Sequence, residues 1–352
     1  MKDLPYRQTH PRQLIFALAL MFAAFLPAPA QQVETIKVET RLVNLNVVAV
    51  DRTGRRLSGL KREDFEVYED GVRQEITHFA TEEEPLRLVL LFDTSISMEA
   101  VLPAVRQEAA RLVAGLRAQD EISIVTFASR VQMLARWVNK TEAAAEIERL
   151  HSEPHTSPVP ATIARPGYNV GDGNTYMYEA LKYIFENIRG DEDKVAVIMF
   201  SDGVDTGAGR SMERIKERAD ALGKELKWLA QESWALVYPI RYKTRQMIGE
   251  LPKPAWRPAR AIVIGSEPKN PGIEFLEKIA GETGGASFEF QTQQDLAAAL
   301  EKTFADLRSQ YSMAYRPPQR KDEGENVFHR IKVRINRPDA VARTRVGYYG
   351  PK

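Results

Sequence analysis

The chain has 352 residues, 43% hydrophobic and 28% charged, which suits folded protein and is long for one compact core, so two or three domains are expected. A formal net charge of +1, with no long run of like charges, excludes a basic nucleic-acid stripe and an acidic tail. Cysteine is absent, which excludes disulfide staples, thiolate zinc sites and a cysteine nucleophile.

Residues 1–30 read as a signal peptide: Lys2, Arg7 and Arg12 precede an apolar run over 14–26, and Ala28-Pro29-Ala30 supplies a small-x-small cleavage pattern. That run is shorter than the roughly 20 apolar residues a spanning helix needs. An exported protein is therefore expected, periplasmic, at the cell surface or extracellular, with no membrane span after cleavage; an uncleaved anchor is the competing reading. Residues 31–84 then read as β, because Val43, Leu45, Val47 and Ala49 alternate and Phe65, Val67 and Tyr68 precede an Asp70-Gly71 turn. The stretch resembles a small immunoglobulin-like sandwich that serves as a spacer or docking module.

From Leu86 the period changes. Nearly continuous apolar runs at 86–92, 122–128, 195–200 and 234–240 suit parallel strands buried on both faces. Between and after them lie helical stripes: Val105, Ala109, Leu112 and Leu116; Ile215, Ala219, Leu222, Leu226 and Leu229; Leu296, Leu300, Phe304 and Leu307. The alternation predicts an α/β fold, a doubly wound, mostly parallel sheet flanked by helices. Two Pro- and Gly-rich insertions, 151–171 and 243–271, are candidate recognition loops. His151 and His155 have helical metal-pair spacing, but Pro154 and Pro158 place them in a loop. Two last β segments, 327–335 and 341–349, predict a C-terminal hairpin that pairs with either the N-terminal sandwich or the α/β sheet.

Chemistry gathers at the strand ends. The first buried run leads into Asp93-Thr94-Ser95-Ile96-Ser97, whose carboxylate and two hydroxyls share a face if the backbone stays extended. The run at 195–200 ends in Ser201-Asp202-Gly203, and Gly171-Asp172-Gly173-Asn174 leads to Thr175 just before a helical segment at 176–188. Open α/β sheets place ligands at the carboxyl ends of their strands. Carboxylates and hydroxyls are ligands for Mg²⁺, Mn²⁺ or Ca²⁺, and two carboxylates offset a divalent charge while leaving room for an incoming anion. Nearby Asp205, Asp172 and Glu99 read as solvated acids or helix caps.

Asp93-x-Ser95-x-Ser97, Thr175 and Asp202 resemble the metal-ion-dependent adhesion site of von Willebrand factor A domains, over about residues 86–308, and the flanking β segments resemble a bacterial exported group with this domain. The resemblance implies that Ser95 and Ser97 are direct ligands, that Thr175 engages or withdraws as the domain changes state, and that Asp93 and Asp202 bind directly or through water. It also implies binding without turnover, of a protein ligand that presents an Asp or Glu carboxylate. The expected layout is a signal peptide at 1–30, the β domain at 31–84, the A domain at 85–312 and the C-terminal extension at 313–352. A haloacid-dehalogenase-type phosphatase needs a second aspartate where Ser95 stands, and a serine hydrolase needs a Gly-x-Ser-x-Gly elbow that the chain lacks. A structural envelope scaffold with a vestigial metal site is the third alternative.

Overall fold

Four strands come first: β1 (Val43–Asp51), β2 (Phe65–Glu69), β3 (Val72–Gln74) and β4 (Ile76–Ala80). The α/β part follows as β5 (Arg87–Asp93), α1 (Leu102–Ala114), β6 (Glu121–Phe127), β7 (Val131–Val138), α2 (Lys140–Glu148), α3 (Met177–Ile188), β8 (Val195–Ser201), α4 (Met212–Ser233), β9 (Leu236–Tyr242), α5 (Pro271–Thr283), β10 (Phe288–Phe290) and α6 (Gln293–Arg308). The chain ends in β11 (Tyr311–Tyr315), β12 (Phe328–Ile335), β13 (Ala340–Arg343) and β14 (Gly347–Tyr349). This computed structural model describes residues 42–81, 85–152, 174–188, 195–207, 212–243, 270–318 and 327–350. Residues 1–30, read from the sequence as a signal peptide, and nearly all of both Pro- and Gly-rich insertions lie outside the described residues.

The six-stranded sheet runs β10-β9-β8-β5-β6-β7, with every neighbouring pair parallel except β6 and β7. Successive side chains of β5 enter opposite layers. Leu88, Leu90 and Phe92 pack with Val105 and Ala109 of α1, Ile147 of α2 and Leu296 and Leu300 of α6. Val89 and Leu91 pack with Leu181 and Phe185 of α3, Leu226 of α4 and Leu276 of α5. That two-sided cover is why the strand needs an unbroken apolar run. Phe92 and Phe200 stack with ring centroids 5.0 Å apart, joining the ends of β5 and β8 beside the carboxylates that follow.

Residues from both flanks of the α/β part build two further antiparallel sheets, β13-β1-β11-β4 and β14-β12-β2-β3. Val43 and Tyr315 are register partners, as are Phe65 and Ile335, so the segments before and after the α/β part share sheets. The α/β part thus enters between β4 and β11, which are themselves paired. β12 buries every second residue, and with Leu45, Val47, Phe65, Val67 and Tyr311 it forms one core between the two sheets. The C-terminal segment returns antiparallel on β12 through β14, but first crosses to the other sheet to pair β13 with β1. Glu69 on β2 accepts hydrogen bonds from Tyr315 on β11 (2.5 Å) and Tyr348 on β14 (3.1 Å), which clasps the sheets together.

Charged side chains fix this sandwich to the α/β part within the single compact unit Arg41–Lys352. Arg56 and Arg343 both bond Asp306 on α6, and the Arg345 guanidinium lies 3.8 Å from the ring centroid of Trp234. Among the described residues no helix is long and apolar enough to cross a membrane. The short helix α2 starts at Asn139, whose Oδ1 accepts the N–H groups of Thr141 (2.9 Å) and Glu142 (3.1 Å). Asn139→Ala should cost about 1 kcal/mol, read as a shift in the urea midpoint, because two N-terminal donors lose their acceptor.

Candidate metal centre

After Asp93 the backbone leaves the sheet. Thr94 donates its N–H to Phe127 O (2.9 Å), and Ser95, at φ −63° and ψ 162°, opens a 3₁₀ turn over Ile96–Met98. This corrects the extended reading of Asp93 to Ser97: the tight turn, not strand alternation, brings the serines together, with their hydroxyl oxygens 3.0 Å apart. Asp93 accepts the Ser95 N–H at Oδ1 (3.0 Å) and the Ser201 hydroxyl at Oδ2 (2.7 Å). Ser201 Oγ in turn accepts the Gly203 N–H at 3.0 Å. Asp202 accepts the Val204 N–H at Oδ1 (3.0 Å), and the nearby Ser97 hydroxyl favours its charged form. Gly203 sits at φ 79°, and a Cβ there would stand 3.0 Å from Ile273 Cγ1, so the turn that aims Asp202 needs glycine.

These bonds join Asp93, Ser95 and Ser97, and the charge of Asp202 acts on Asp93, so the four gather at the carboxyl ends of β5 and β8. Asp93 is fully buried and Asp202 is 5% exposed, while Ser97 faces solvent. Burial, and then the neighbouring Asp202 charge, pushes the Asp93 carboxyl well above the ordinary range. Asp202 is also raised by burial, with the Ser97 hydrogen bond opposing the shift. Among the described residues neither acid has an ion-pair partner. Two buried carboxylates side by side are costly unless a cation compensates them. The surrounding donors are all oxygen, so the residues present fit a hard divalent ion.

Thr175 lies on a flanking segment at the same end of the sheet. Its N–H donates to Thr206 Oγ1 (2.7 Å), Thr206 N–H returns a bond to Thr175 O (3.0 Å), and Tyr176 N–H reaches Ala128 O (3.0 Å) just past β6. Among the described residues no hydrogen bond joins the Thr175 hydroxyl to the other four side chains. Of the two sequence readings of Asp205, solvated acid or helix cap, the structure excludes the first: it is 2% exposed and accepts the Tyr178 N–H in the first turn of α3, together with the Gly207 N–H and Arg218 Nε. Glu99 is exposed as expected, and Asp172 lies outside the described residues. Ser201, which holds Asp93 from the neighbouring strand, went unassigned in the sequence reading; its one signal there is a hydroxyl at the end of a buried strand.

A second group of potential ligands stands apart, where Glu69, Asp70 and His329 bring ligand atoms within 4.8 Å of one another. Asp70 Oδ2 and His329 Nδ1 are 2.9 Å apart, and Glu69 holds the two tyrosine hydroxyls, so the group reads as the sandwich clasp. A cavity of about 610 Å³ opens elsewhere on the sandwich, beside Arg62, Glu66, Arg73 and Glu75. Its arginines and glutamates pair at 3.5–3.8 Å.

A mostly parallel sheet with helices on both faces, and oxygen donors gathered after two central strands, is the arrangement of a von Willebrand factor A domain. The chain belongs to the family of VWA domain containing CoxE-like proteins, whose model matches residues 62–248. No curated protein matches. Among solved structures the chain is similar to a von Willebrand factor type A protein from Catenulispora acidiphila, at 11% identity and TM-score 0.43, covering 88% of this chain and 75% of that one. It is similar to an aerotolerance-related membrane protein from Bacteroides fragilis NCTC 9343, at 15% identity and TM-score 0.38, covering 62% and 98%. Proximal thread matrix protein 1 from the mussel byssus, with a zinc-occupied MIDAS motif, is a further similar structure, at 16% identity and TM-score 0.39, covering 69% and 50%.

Proposed function

We propose that this chain is an exported, non-catalytic protein-binding module for adhesion or envelope assembly. In this reading Asp93, Ser95, Ser97, Thr175 and Asp202 hold Mg²⁺, or Mn²⁺ or Ca²⁺, and an Asp or Glu carboxylate from a protein ligand completes the metal shell. The observation that carries it is the buried Asp93–Asp202 pair, which lacks a basic partner among the described residues and is ringed by hydroxyls. The bound ion would supply a positive charge for the incoming carboxylate. The chain's own residues hold the ion through two acids and keep neutral hydroxyls beside it, so those donors add no further negative charge against the ligand. Export rests on residues 1–30.

Immobilised full chain should capture an envelope or extracellular protein from the native host in Mg²⁺ and release it in chelator. Thr175→Ala should weaken that capture more than it weakens the ion's own binding. Capture that persists in chelator would support a scaffold role instead. Metal-dependent turnover of an aryl phosphate, abolished by Asp93→Asn, would overturn the non-catalytic reading.

A further inference from the structure

For Thr175 and Asp202 to face one ion, two loops that belong to no common strand ladder must keep a fixed separation. Asp202 follows β8, and Thr175 precedes α3. The Thr175–Thr206 pair joins these loops by two reciprocal hydrogen bonds of 2.7 and 3.0 Å. One residue away, Asp205 spans the same gap with a single carboxylate. Oδ2 takes the Tyr178 N–H (3.2 Å) at the start of α3, on the Thr175 side, while Oδ1 takes the Gly207 N–H (3.0 Å) on the Asp202 side.

Arg218 of α4 fixes that carboxylate through Nε (3.1 Å) and bonds Glu179 of α3 through Nη2. Its guanidinium also lies over the Tyr176 ring, 5.6 Å from the centroid. A Cβ at Gly207 would sit 2.7 Å from Arg218 Nη2 and 2.8 Å from the Tyr176 ring, so a larger residue there would have to displace the Arg218 or Tyr176 side chain. With its oxygens turned to two backbone N–H groups and a guanidinium, Asp205 is placed to act through its neighbours rather than on the ion.

We infer that Asp205 is a positioning residue that sets the distance between Thr175 and Asp202, and so tunes divalent-ion affinity; this rests on the metal-binding reading above. Groups that orient metal ligands typically contribute 10- to 100-fold in affinity. Asp205→Asn keeps the shape but loses charge and acceptor capacity toward Arg218 and the two N–H groups. Glu179→Gln disturbs only the far side of Arg218 and serves as the control.

The test is Mn²⁺ affinity of the full chain, measured from free Mn²⁺ by electron paramagnetic resonance, with circular dichroism to confirm folding. Asp205→Asn should weaken Mn²⁺ roughly 10-fold or more, whereas Glu179→Gln should change it by no more than about twofold. In a Thr175→Ala background the effect of Asp205→Asn should shrink by more than half, because a residue that acts through Thr175 has less left to position. A merely structural role would give equal losses in both backgrounds. Thr206→Val removes the acceptor for the Thr175 N–H and carries the same expectation where Asp205→Asn does not fold. Failure of the unchanged chain to bind Mn²⁺ sinks both the metal reading and this inference. Binding that Asp205→Asn and Thr206→Val leave unaltered, or additive losses in the double variant, sinks this inference alone.

Discussion

Asp93→Ala should abolish the thermal stabilisation that Mn²⁺ or Mg²⁺ gives the full chain. An ion at about 100 times its dissociation constant adds about 2.7 kcal/mol to a fold that alone binds it, which is on the order of 5 °C in Tm for a domain of this size. Asp93 is the fully buried acid on the central strand, held by Ser95 from its own loop and Ser201 from β8. Its loss leaves a hydroxyl and an N–H without their acceptor, each costing about 1–3 kcal/mol. It also removes the burial of a carboxylate and its repulsion with Asp202, which push Asp93 up. These terms oppose one another, so the metal-free Tm should move little while the ion-dependent shift disappears. Asp93 is completely buried, so the metal-free melt must be recorded beside the metal-bound one. A Tm that still rises with Mn²⁺ in the variant would contradict the role given to Asp93.

Asp120→Ala should cost about 3–5 kcal/mol, a large share of the roughly 5–15 kcal/mol that holds a typical domain folded. Asp120 stands just before β6 with no exposed side-chain surface. Oδ1 accepts the Leu86 N–H (2.9 Å), and Oδ2 accepts the Arg117 N–H (2.8 Å) and a bond from Arg308 at the end of α6. One carboxylate therefore joins the start of β5, the turn before β6 and the last helix of the α/β part. Alanine leaves two N–H groups and a nearly buried guanidinium without the acceptor they share. The urea midpoint, at an unchanged slope, measures the loss. Arg308→Met should cost less, since the acid keeps both backbone donors. A loss under about 1 kcal/mol for Asp120→Ala would show that water or a repacked neighbour satisfies the orphaned groups.

The parallel strands were legible because each is buried on both faces and so carries an unbroken apolar run; β5, β6, β8 and β9 lie within two residues of the sequence boundaries at either end. Strand β7 left no such mark: it is an edge strand with no fully buried residue, and register shifts interrupt its pairing with β6. Of the sandwich, β1, β2 and β12 were legible as strands, β3, β4 and β11 were not, and pairing with the C-terminal segments stood only as one of two alternatives. Val43 pairs with Tyr315 across the whole α/β part, and nothing local in either segment encodes a partner so distant. At the site, the residue types and their order carried the reading of Asp93, Ser95, Ser97 and Asp202. Their mutual approach depends on a 3₁₀ turn that strand periodicity does not foresee. The burial of Asp205 was not legible for a physical reason: its partners Arg218 and Tyr178 lie 13 and 27 residues away, so nothing local marks it as enclosed.

The most direct test is a crystal of the full chain grown with Mn²⁺, with anomalous scattering used to find the ion. The account predicts a single strong peak among the Asp93 and Asp202 carboxylates and the Ser95 and Ser97 hydroxyls, within ligand distance of those oxygens. No peak there at saturating Mn²⁺, or a peak only beside Glu69, Asp70 and His329, would contradict it.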